Sequence, residues 1–242
     1  MRFALISDIH ANLAALEAVL KDIDGQTVDA IHCLGDVIGY GCDPGKCLEL
    51  VTQHCNIKLV GNHEHATLGL LSAEHLNRHA QQAISWTTKQ LTDYDFSLIA
   101  DFVMDAHLDQ SYLVHSSPFE PETWHYILSV EDAETAFAHC TKQFVFFGHT
   151  HLPAIYSVSE DSPVRAKYGH DIDPDPDARY LVNVGSVGQP RDNDPRACYV
   201  IFDTEEIAIT YRRVAYDVKS TQEKMARASM PAALIDRLEV GR

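Results

Sequence analysis

A glycine and two histidines follow a short apolar run in the middle of the chain. The run covers residues 144–147, and Gly148, His149, Thr150 and His151 come directly after it. Four apolar residues in a row are typical of a buried strand, so both imidazoles should lie where a strand ends and a loop begins. Imidazole is a common metal ligand in proteins. The spacing therefore predicts a candidate metal site, which by itself does not define a function.

Four more polar motifs also follow short apolar runs. They are Asp8-x-His10, Gly35-Asp36, Gly61-Asn62-His63-Glu64 and His115. Alternate residues of an extended segment point to the same side, so Asp8 and His10 can reach one ion. The carboxylate of Asp36 can bridge two metals, the amide oxygen of Asn62 can be an oxygen ligand, and His63 can serve as an acid or a base. Each short motif also occurs in ordinary turns, so the prediction depends on the whole set.

The charge balance limits the partners of this protein. The 242 residues carry a formal net charge of -16, which disfavours nucleic acid polymers and anionic lipid. A small phosphorylated molecule would need cations close by, and divalent metals held by aspartate and histidine would provide them. No stretch is long enough to span a membrane and no secretory signal is visible, so a cytoplasmic protein without membrane association is expected. Its six cysteines are accordingly expected to be reduced thiols.

Apolar periodicity predicts alternating strands and helices in a single domain over residues 1–242. Strands are expected over residues 2–7, 30–34, 57–60, 104–108, 111–114, 144–147, 154–157, 180–184, 197–203 and 207–214. Helices are expected after Asn12, which can cap one, over residues 47–54, 72–91, 96–102 and 129–139, and after Asp217. Residues 160–179 are expected to form a solvated loop. His75 and His79 stand one helical turn apart and are expected to be solvated rather than to bind metal.

Aromatic residues are dense in the loop that follows His115. Phe119, Trp124, His125 and Tyr126 lie within this loop. Such a group could form a wall on which a nucleobase stacks, with Trp124 and Tyr126 as the candidate substrate contacts. A loop packed over the core would have the same composition. The sequence leaves both interpretations open.

Taken together and in this order, the five motifs resemble those of the calcineurin-like metallophosphoesterase superfamily. The loop over residues 183–191, the C-terminal strand pair and the final helices also resemble its small bacterial YfcE-like and SapH-like members. The resemblance extends over nearly the whole chain. It implies an α/β (α+β) fold in four layers, αββα, with two mixed sheets flanked by helices and with the ligands on loops at one edge of the sandwich.

The resemblance also implies a role for each motif residue. One ion would take Asp8, His10, Asp36 and His151, and a second would take Asp36, Asn62, His115 and His149. In this assignment Asp36 bridges two divalent ions, a hydroxide between the ions attacks phosphorus, and His63 acts near the leaving group. Mixed carboxylate, amide and imidazole ligands suit manganese, iron, zinc or nickel.

The loop after Asp36 departs from the protein serine/threonine phosphatase branch of this superfamily. That branch reads Gly-Asp-x-x-Asp-Arg-Gly, whereas Val-Ile-Gly-Tyr-Gly follows Asp36 here. The carboxylate that orients the catalytic histidine and the arginine that binds phosphate are therefore missing at those positions, which disfavours a phosphoprotein substrate. Glu64 is the expected alternative partner of His63, and Arg191 is the expected replacement phosphate contact.

These features predict a binuclear-metal-dependent phosphoesterase that hydrolyses phosphate ester or phosphoanhydride bonds. A nucleotide or a small phosphodiester is the expected substrate, because of the aromatic loop and because Arg191 could reach a second phosphate. The alternative is a noncatalytic metal-binding interaction scaffold of the same fold. The complete set of ligands and the presence of His63 disfavour that alternative. The sequence leaves the oligomeric state open.

Overall fold

The computed structural model describes residues 1–72 and 76–242. The strands are β1 (Arg2–Ile6), β2 (Ala30–Cys33), β3 (Ile57–Lys58), β4 (Asp105–Leu108), β5 (Ser111–Val114), β6 (Phe144–Phe147), β7 (Ala154–Ser159), β8 (Ser162–Tyr168), β9 (Arg179–Asn183), β10 (Ala197–Asp203) and β11 (Ala208–Val214). The α-helices are α1 (Leu13–Asp24), α2 (Pro44–His54), α3 (Asn62–Thr67), α4 (Arg78–Thr88), α5 (Asp93–Ala100), α6 (Val130–His139), α7 (Val218–Arg227) and α8 (Ala232–Val240). Among these described helices, none has the length and apolar character that crossing a bilayer requires.

The strands form two mixed sheets. The first has the order β11-β10-β1-β2-β3, and the second has the order β4-β5-β6-β9-β7-β8. In the first sheet β1, β2 and β3 run parallel, and β10 is antiparallel to β1. In the second sheet β5, β6 and β9 run parallel. Each parallel set therefore brings its carboxyl ends to one edge of its sheet.

Alternate residues of the central strands face two different cores. Leu5 of β1 packs in the cluster between the two sheets, whereas Ala4 and Ile6 pack with residues of α1 and α2. The strand β6 alternates in the same way, with α6 on its outer side. Because both faces of these strands are buried, their sequences are continuous apolar runs. The layers are helices, sheet, sheet and helix, which confirms the expected four-layer sandwich.

Three helices form a separate cluster beside the loop that follows β2. Buried side chains of α4, α7 and α8 pack together there with Tyr40. The last two helices of the chain are therefore held against a loop that lies near its beginning. This packing brings residues that are far apart in sequence close to the carboxyl ends of β1 and β2.

Several local expectations are confirmed. The side chain of Asn12 caps α1 by accepting a hydrogen bond from the backbone nitrogen of Ala15 at 3.3 Å. The side chain of Ser129 caps α6 by accepting one from the backbone nitrogen of Asp132 at 3.2 Å. The strands β4 and β5 form the expected antiparallel hairpin. In each case a short-range sequence signal was enough to identify the element.

Two local expectations are wrong. The supposed loop over residues 160–179 contains β8, which pairs with β7 at the edge of the second sheet and is mostly exposed. An exposed edge strand that includes Pro163 has no apolar run that could reveal it. The helix expected from residue 72 begins at Arg78, because Asn77 caps it by accepting a hydrogen bond from Ala80 N at 3.0 Å. His79 is exposed, as expected, and His75 lies outside the described residues.

A partly exposed ion pair joins α1 to the first sheet. Asp22 Oδ2 accepts a hydrogen bond from the Tyr199 hydroxyl at 2.6 Å, and Asp22 Oδ1 accepts one from Arg212 Nη2 at 3.0 Å. Burial alone would raise the pKa of Asp22, but these hydrogen bonds outweigh burial and lower the pKa below 3.8. The carboxylate therefore stabilises the fold above pH 3.8, and this contribution is lost as the pH falls through the lowered pKa.

Asp22→Asn is expected to lower the free energy of unfolding by about 1 kcal/mol at pH 7. The loss should shrink at pH 3, where the wild-type carboxylate begins to take up a proton. Urea unfolding of the metal-free protein at both pH values measures this. Asp24→Asn is the matched control, since Asp24 is an exposed residue of the same helix. A loss for Asp22→Asn that is the same at pH 3 and pH 7 would contradict the role of the charge.

Candidate metal centre

The five polar motifs meet where the parallel strands of both sheets end. Asp8 follows β1, Asp36 follows β2 and Asn62 begins α3 just beyond β3. His115 follows β5, and the residues from His149 onward follow β6. Since the carboxyl ends of parallel strands lie at one edge of a sheet, two facing sheets bring these side chains into a single cluster. The expected adjacency of the motifs is therefore present in the structure.

Five residues of these motifs have a left-handed backbone. The φ angles are 53° at Asp8, 50° at His10, 51° at Asp36, 64° at His149 and 61° at His151. This region is uncommon for residues with a side chain and costs free energy at each position. Such a concentration of strained residues is typical of a functional site, where the surrounding fold holds the side chains in place.

Asp36 lies at the centre of the cluster. Its Oδ2 is 3.4 Å from His115 Nε2, 3.7 Å from His10 Nε2 and 4.0 Å from His63 Nε2. Its Oδ1 accepts a hydrogen bond from the backbone nitrogen of His63 at 3.0 Å. A Cβ atom at Gly61 would overlap Asp36 Oδ1, so only glycine leaves room for the carboxylate here. One oxygen of Asp36 is thus fixed by the backbone while the other faces three imidazoles.

Asp8 forms a second group with two histidines. Its Oδ1 lies 3.3 Å from His151 Nε2 and 3.8 Å from His10 Nε2. The two Nε2 atoms are 3.0 Å apart. The other oxygen of Asp8 accepts a hydrogen bond from the backbone nitrogen of His149 at 2.9 Å. This group and the groups around Asp36 are close enough for each to hold an ion.

Backbone carbonyls fix the protonation of the histidine rings. Their contacts are His10 Nδ1 with Ile38 O at 3.1 Å, His115 Nδ1 with Leu34 O at 2.7 Å, and His151 Nδ1 with Gln189 O at 2.6 Å. A carbonyl only accepts, so each Nδ1 carries a proton and each neutral ring presents a bare Nε2 to the cluster. His149 is reversed, since its Nε2 donates to Trp124 O at 3.0 Å and leaves Nδ1 bare. Ring orientation by a carbonyl is common among metal-binding histidines.

The pair of bare nitrogens fits a cation. Two neutral Nε2 acceptors that lie 3.0 Å apart, as in His10 and His151, gain nothing from each other. Ligand nitrogens bind ions such as zinc at about 2.0 to 2.1 Å, so two nitrogens at a right angle around one ion lie about 3.0 Å apart. Asp8 Oδ1, Asn62 Oδ1 and His115 Nε2 are also buried without a hydrogen-bond partner. A bound cation would satisfy these atoms.

Burial and charge act in opposite directions at this cluster. Burial lowers the pKa of His149 to about 3, so this ring is neutral at neutral pH. Burial also disfavours the charged form of His115, but the Asp36 carboxylate outweighs it and raises the pKa of His115 to about 9. Burial works against ionisation of Asp36 as well, yet His115 and His63 hold its pKa well below 3.8. Without metal, at neutral pH, the Asp36 carboxylate is therefore ionised, His115 favours its protonated form and His149 is neutral.

His63 lies between two rings and against a glycine. Its ring centroid is 4.5 Å from that of Tyr40 and 4.7 Å from that of His10. Its Nδ1 is buried without a hydrogen-bond partner, and a Cβ atom at Gly39 would overlap this nitrogen. Gly39 therefore occupies the direction from which an orienting carboxylate would approach. Packing rather than a carboxylate holds the ring of His63.

The expectation that Glu64 orients His63 is wrong. Glu64 Oε2 accepts hydrogen bonds from Asp36 N at 2.9 Å and Gly61 N at 2.8 Å, and Oε1 accepts one from Ile38 N at 3.1 Å. Both oxygens are thus occupied by the backbone of the loops that follow β2 and β3. Glu64 holds these two loops together and so positions Asp36 instead.

A small cavity opens onto the cluster. Its volume is about 70 Å³, and its walls include Asp36, Tyr40, Asn62, His63, Leu76, Asn77, Tyr126, His149, His151 and Arg191. The ring of Tyr126 stacks on that of His149 at 4.2 Å, and 51% of the residue remains exposed. Arg191 lies over the ring of Tyr40, with its guanidinium carbon 5.8 Å from the ring centroid. The structure thus brings both Tyr126 and Arg191 to the candidate metal-binding cluster.

The proposed contact of Trp124 with substrate needs correction. Trp124 is only 7% exposed and packs in the core with residues of the outer helices. Its ring lies 5.0 Å from that of His65 and 5.9 Å from that of His115, behind the cluster. Phe119 stacks on His125 at 5.0 Å. The aromatic loop is therefore mostly packing, and Tyr126 is its member that faces the cavity.

Sequence reasoning missed the role of the segments around the cavity. The ring of Tyr40 contacts that of His63 and lies under the guanidinium of Arg191. The signal available in the sequence was that Tyr40 is in the loop directly after Asp36. Gln189 holds the ring of His151 through its carbonyl oxygen. Arg237 donates from Nη1 to Gln189 Oε1 at 3.0 Å. Since Arg237 lies on the last helix, no local pattern could have connected it with the cluster.

Comparison with known proteins identifies the class. The model of the calcineurin-like phosphoesterase superfamily domain matches residues 1–207. The chain belongs to this superfamily, as its five motifs predicted. A protein of Methanocaldococcus jannaschii described as uncharacterized is 36% identical over 243 residues, which cover 99% of this chain and 98% of that protein.

Solved structures agree with this assignment. A metallophosphoesterase from Sphaerobacter thermophilus is 40% identical and superimposes with a TM-score of 0.88, covering 100% of this chain and 99% of that one. A hypothetical protein from Pyrococcus horikoshii OT3 is 16% identical and has a TM-score of 0.80, with coverage of 100% and 98%. The second likeness concerns the fold alone.

Proposed function

We propose that this protein is a phosphoesterase that uses two divalent metal ions. The observation that supports the proposal most strongly is the pair of bare nitrogens of His10 and His151, which lie 3.0 Å apart. Neutral acceptors at this separation have no reason to meet, whereas two ligands of one ion do. The unpartnered atoms of Asp8, Asn62 and His115 extend the same pattern around Asp36.

The ligand atoms divide into two groups that share Asp36. Asp8, His10, Asp36 and His151 would hold one ion, and Asp36, Asn62, His115 and His149 would hold the other. Two such ions, when bound, supply Lewis acidity and activate water for attack on phosphorus. The mixed ligand atoms are compatible with manganese, iron, zinc or nickel.

His63 is proposed to donate a proton from Nε2 rather than to bind metal. This atom lies 4.0 Å from Asp36 Oδ2, farther than the corresponding atoms of His10 and His115. Although His63 can also be grouped with Asp36 and His10 as a possible ligand, its ring lines the cavity. Burial lowers the pKa of His63, and Asp36 acts against this. A bound phosphate would raise that pKa and favour the protonated form.

Metal reconstitution tests the proposed function. The chelator-treated protein should hydrolyse nothing in a panel of nitrophenyl phosphate, bis-nitrophenyl phosphate and nucleotides, and activity should return as two ions per chain are added. Two bound ions without turnover of any ester would instead favour the noncatalytic scaffold. Turnover that survives complete removal of metal would contradict the proposal.

A nucleotide or small phosphodiester is the proposed substrate, and Tyr126 is the proposed stacking surface. Tyr126→Ala is expected to lower kcat/KM for a nucleotide by about 5- to 150-fold, since stacking of a base on an aromatic ring contributes about 1 to 3 kcal/mol. Hydrolysis of nitrophenyl phosphate should change much less. Steady-state kinetics on both substrates provide the comparison.

Two further variants control for changes other than stacking. Tyr126→Phe keeps the ring and should keep most of the nucleotide activity. Tyr94→Ala removes an exposed tyrosine of α5 and should change neither substrate. If Tyr126→Ala affects nucleotide and small ester equally, the ring only supports His149 and the nucleotide assignment fails.

A further inference from the structure

Two arginines meet at one neutral oxygen beside the metal-ligand cluster. Arg191 Nη2 and Arg237 Nη1 both donate to Gln189 Oε1, each at 3.0 Å. Gln189 is 2% exposed, and its backbone carbonyl holds His151. A single glutamine therefore fixes two guanidinium groups and a proposed metal ligand relative to each other.

Among the described residues, this arginine pair has no carboxylate partner. Within residues 1–72 and 76–242, no acidic side chain lies within 4.0 Å of either guanidinium, whereas Arg212 and Arg213 each pair with aspartate. This contrast is notable in a chain with 35 acidic and 19 basic side chains. Arg191 Nε is in addition buried without a hydrogen-bond partner. Burial and the nearby Arg191 lower the pKa of Arg237, as expected for uncompensated like charges.

The two arginines extend from the cavity outward. Arg191 lines the cavity together with His63 and His151. Arg237 is partly exposed and comes from α8, which the helix cluster around Tyr40 holds in place. Guanidinium groups bind phosphate oxygens through several N–H donors in a fixed plane. An anion at this position would complete the hydrogen bonds of Arg191 and offset the two positive charges.

We propose that Arg191 and Arg237 form a subsite for a second phosphate group of the substrate. This inference rests on the proposed function, because the first phosphate is assigned to the metal-ligand cluster. The substrate class is then a compound with two linked phosphates, such as a nucleoside diphosphate or a dinucleoside polyphosphate. A simple monoester would leave Arg237 without an anion.

Binding of two nucleotides that differ by one phosphate tests the subsite. Calorimetry at a fixed concentration of free divalent metal compares AMP with α,β-methylene-ADP, which is not cleaved between its phosphorus atoms. Wild type should bind the diphosphate analogue more tightly. Arg237→Gln should weaken its binding by about 10- to 100-fold and that of AMP by less than about threefold, because one charge-assisted hydrogen bond is lost.

Control variants separate the subsite from a structural role. Arg227→Gln removes the same charge from an exposed residue of the neighbouring helix α7 and should bind both nucleotides as wild type does. Arg237→Lys should recover part of the lost affinity, and thermal unfolding should show that both Arg237 variants are folded. Equal weakening of both nucleotides by Arg237→Gln, or no weakening, would overturn the subsite.

The binding experiment tests the subsite whether or not the protein hydrolyses esters. If wild type hydrolyses no ester but its diphosphate affinity depends on Arg237, the subsite stands and the proposed phosphoesterase function fails. If wild type hydrolyses esters and Arg237→Gln has no selective effect, the function stands and the subsite fails.

Discussion

Asp36→Asn is expected to remove both metal ions and hydrolytic activity together. Asp36 Oδ2 faces the imidazoles of His115 and His10, which belong to different proposed ions. The asparagine side chain has nearly the same shape as aspartate but no charge, so it cannot offset the charges of two cations. Because two such ions would contribute several kcal/mol to catalysis, activity should fall about 1,000-fold or more.

Elemental analysis and steady-state kinetics on the same preparations measure the metal content and the activity of the Asp36→Asn variant. Asp22→Asn provides the matched control, since it makes the same chemical change in the ion pair with Arg212 and should retain two ions and full activity. An Asp36→Asn variant that still holds two ions would contradict the bridging role. A wild-type protein that binds a single ion would contradict it as well.

His63→Ala is expected to keep both ions and to lose most of its turnover. Donation of a proton to the leaving group typically contributes about 100- to 10,000-fold, so alkyl esters should lose that much in kcat. The loss should shrink for nitrophenyl esters, whose leaving group needs little protonation. A series of esters with leaving groups of different pKa, assayed with wild type and variant, gives this dependence.

The corresponding control is His79→Ala, which changes an exposed histidine at the beginning of α4. It should affect neither metal content nor the dependence on the leaving group. If His63→Ala reduces the hydrolysis of all esters by the same factor, His63 binds phosphate or supports the metals instead. Loss of metal from His63→Ala would place its Nε2 among the ligands.

The sequence was informative wherever a single short segment determines both strand and site. Asp8, Asp36 and His115 each follow an apolar run that is buried on both faces, and parallel strands bring such positions to one edge. The positions of the motifs at the ends of parallel strands therefore predicted that their side chains lie close together. The exact pairing of ring nitrogens with carbonyls could not be predicted, because the partners of His10 and His151 come from other loops.

Two of the errors concern the direction in which a side chain points. Glu64 is adjacent to His63 in sequence, but its position on α3 directs the carboxylate to the backbone of the loop after β2. Trp124 is in the same loop as Tyr126, yet its left-handed backbone, with φ of 59°, belongs to a turn that buries the indole. Composition cannot distinguish Trp124 from Tyr126, because both are aromatic.

The C-terminal helix illustrates what no local pattern could provide. Arg237 reaches Gln189 across 48 positions of sequence, and α8 is held there by packing against α4 and α7. On the helix itself Arg237 looks like any solvated basic residue. Its proximity to Arg191 follows only from the assembled fold.

Anomalous X-ray diffraction from crystals of the metal-loaded protein tests most directly whether two ions share Asp36. We expect two anomalous peaks about 3.5 to 4 Å apart, with Asp36 between them, Asp8 and His151 beside one peak, and His115 and His149 beside the other. A single peak, or two peaks of which only one contacts Asp36, would contradict the shared site.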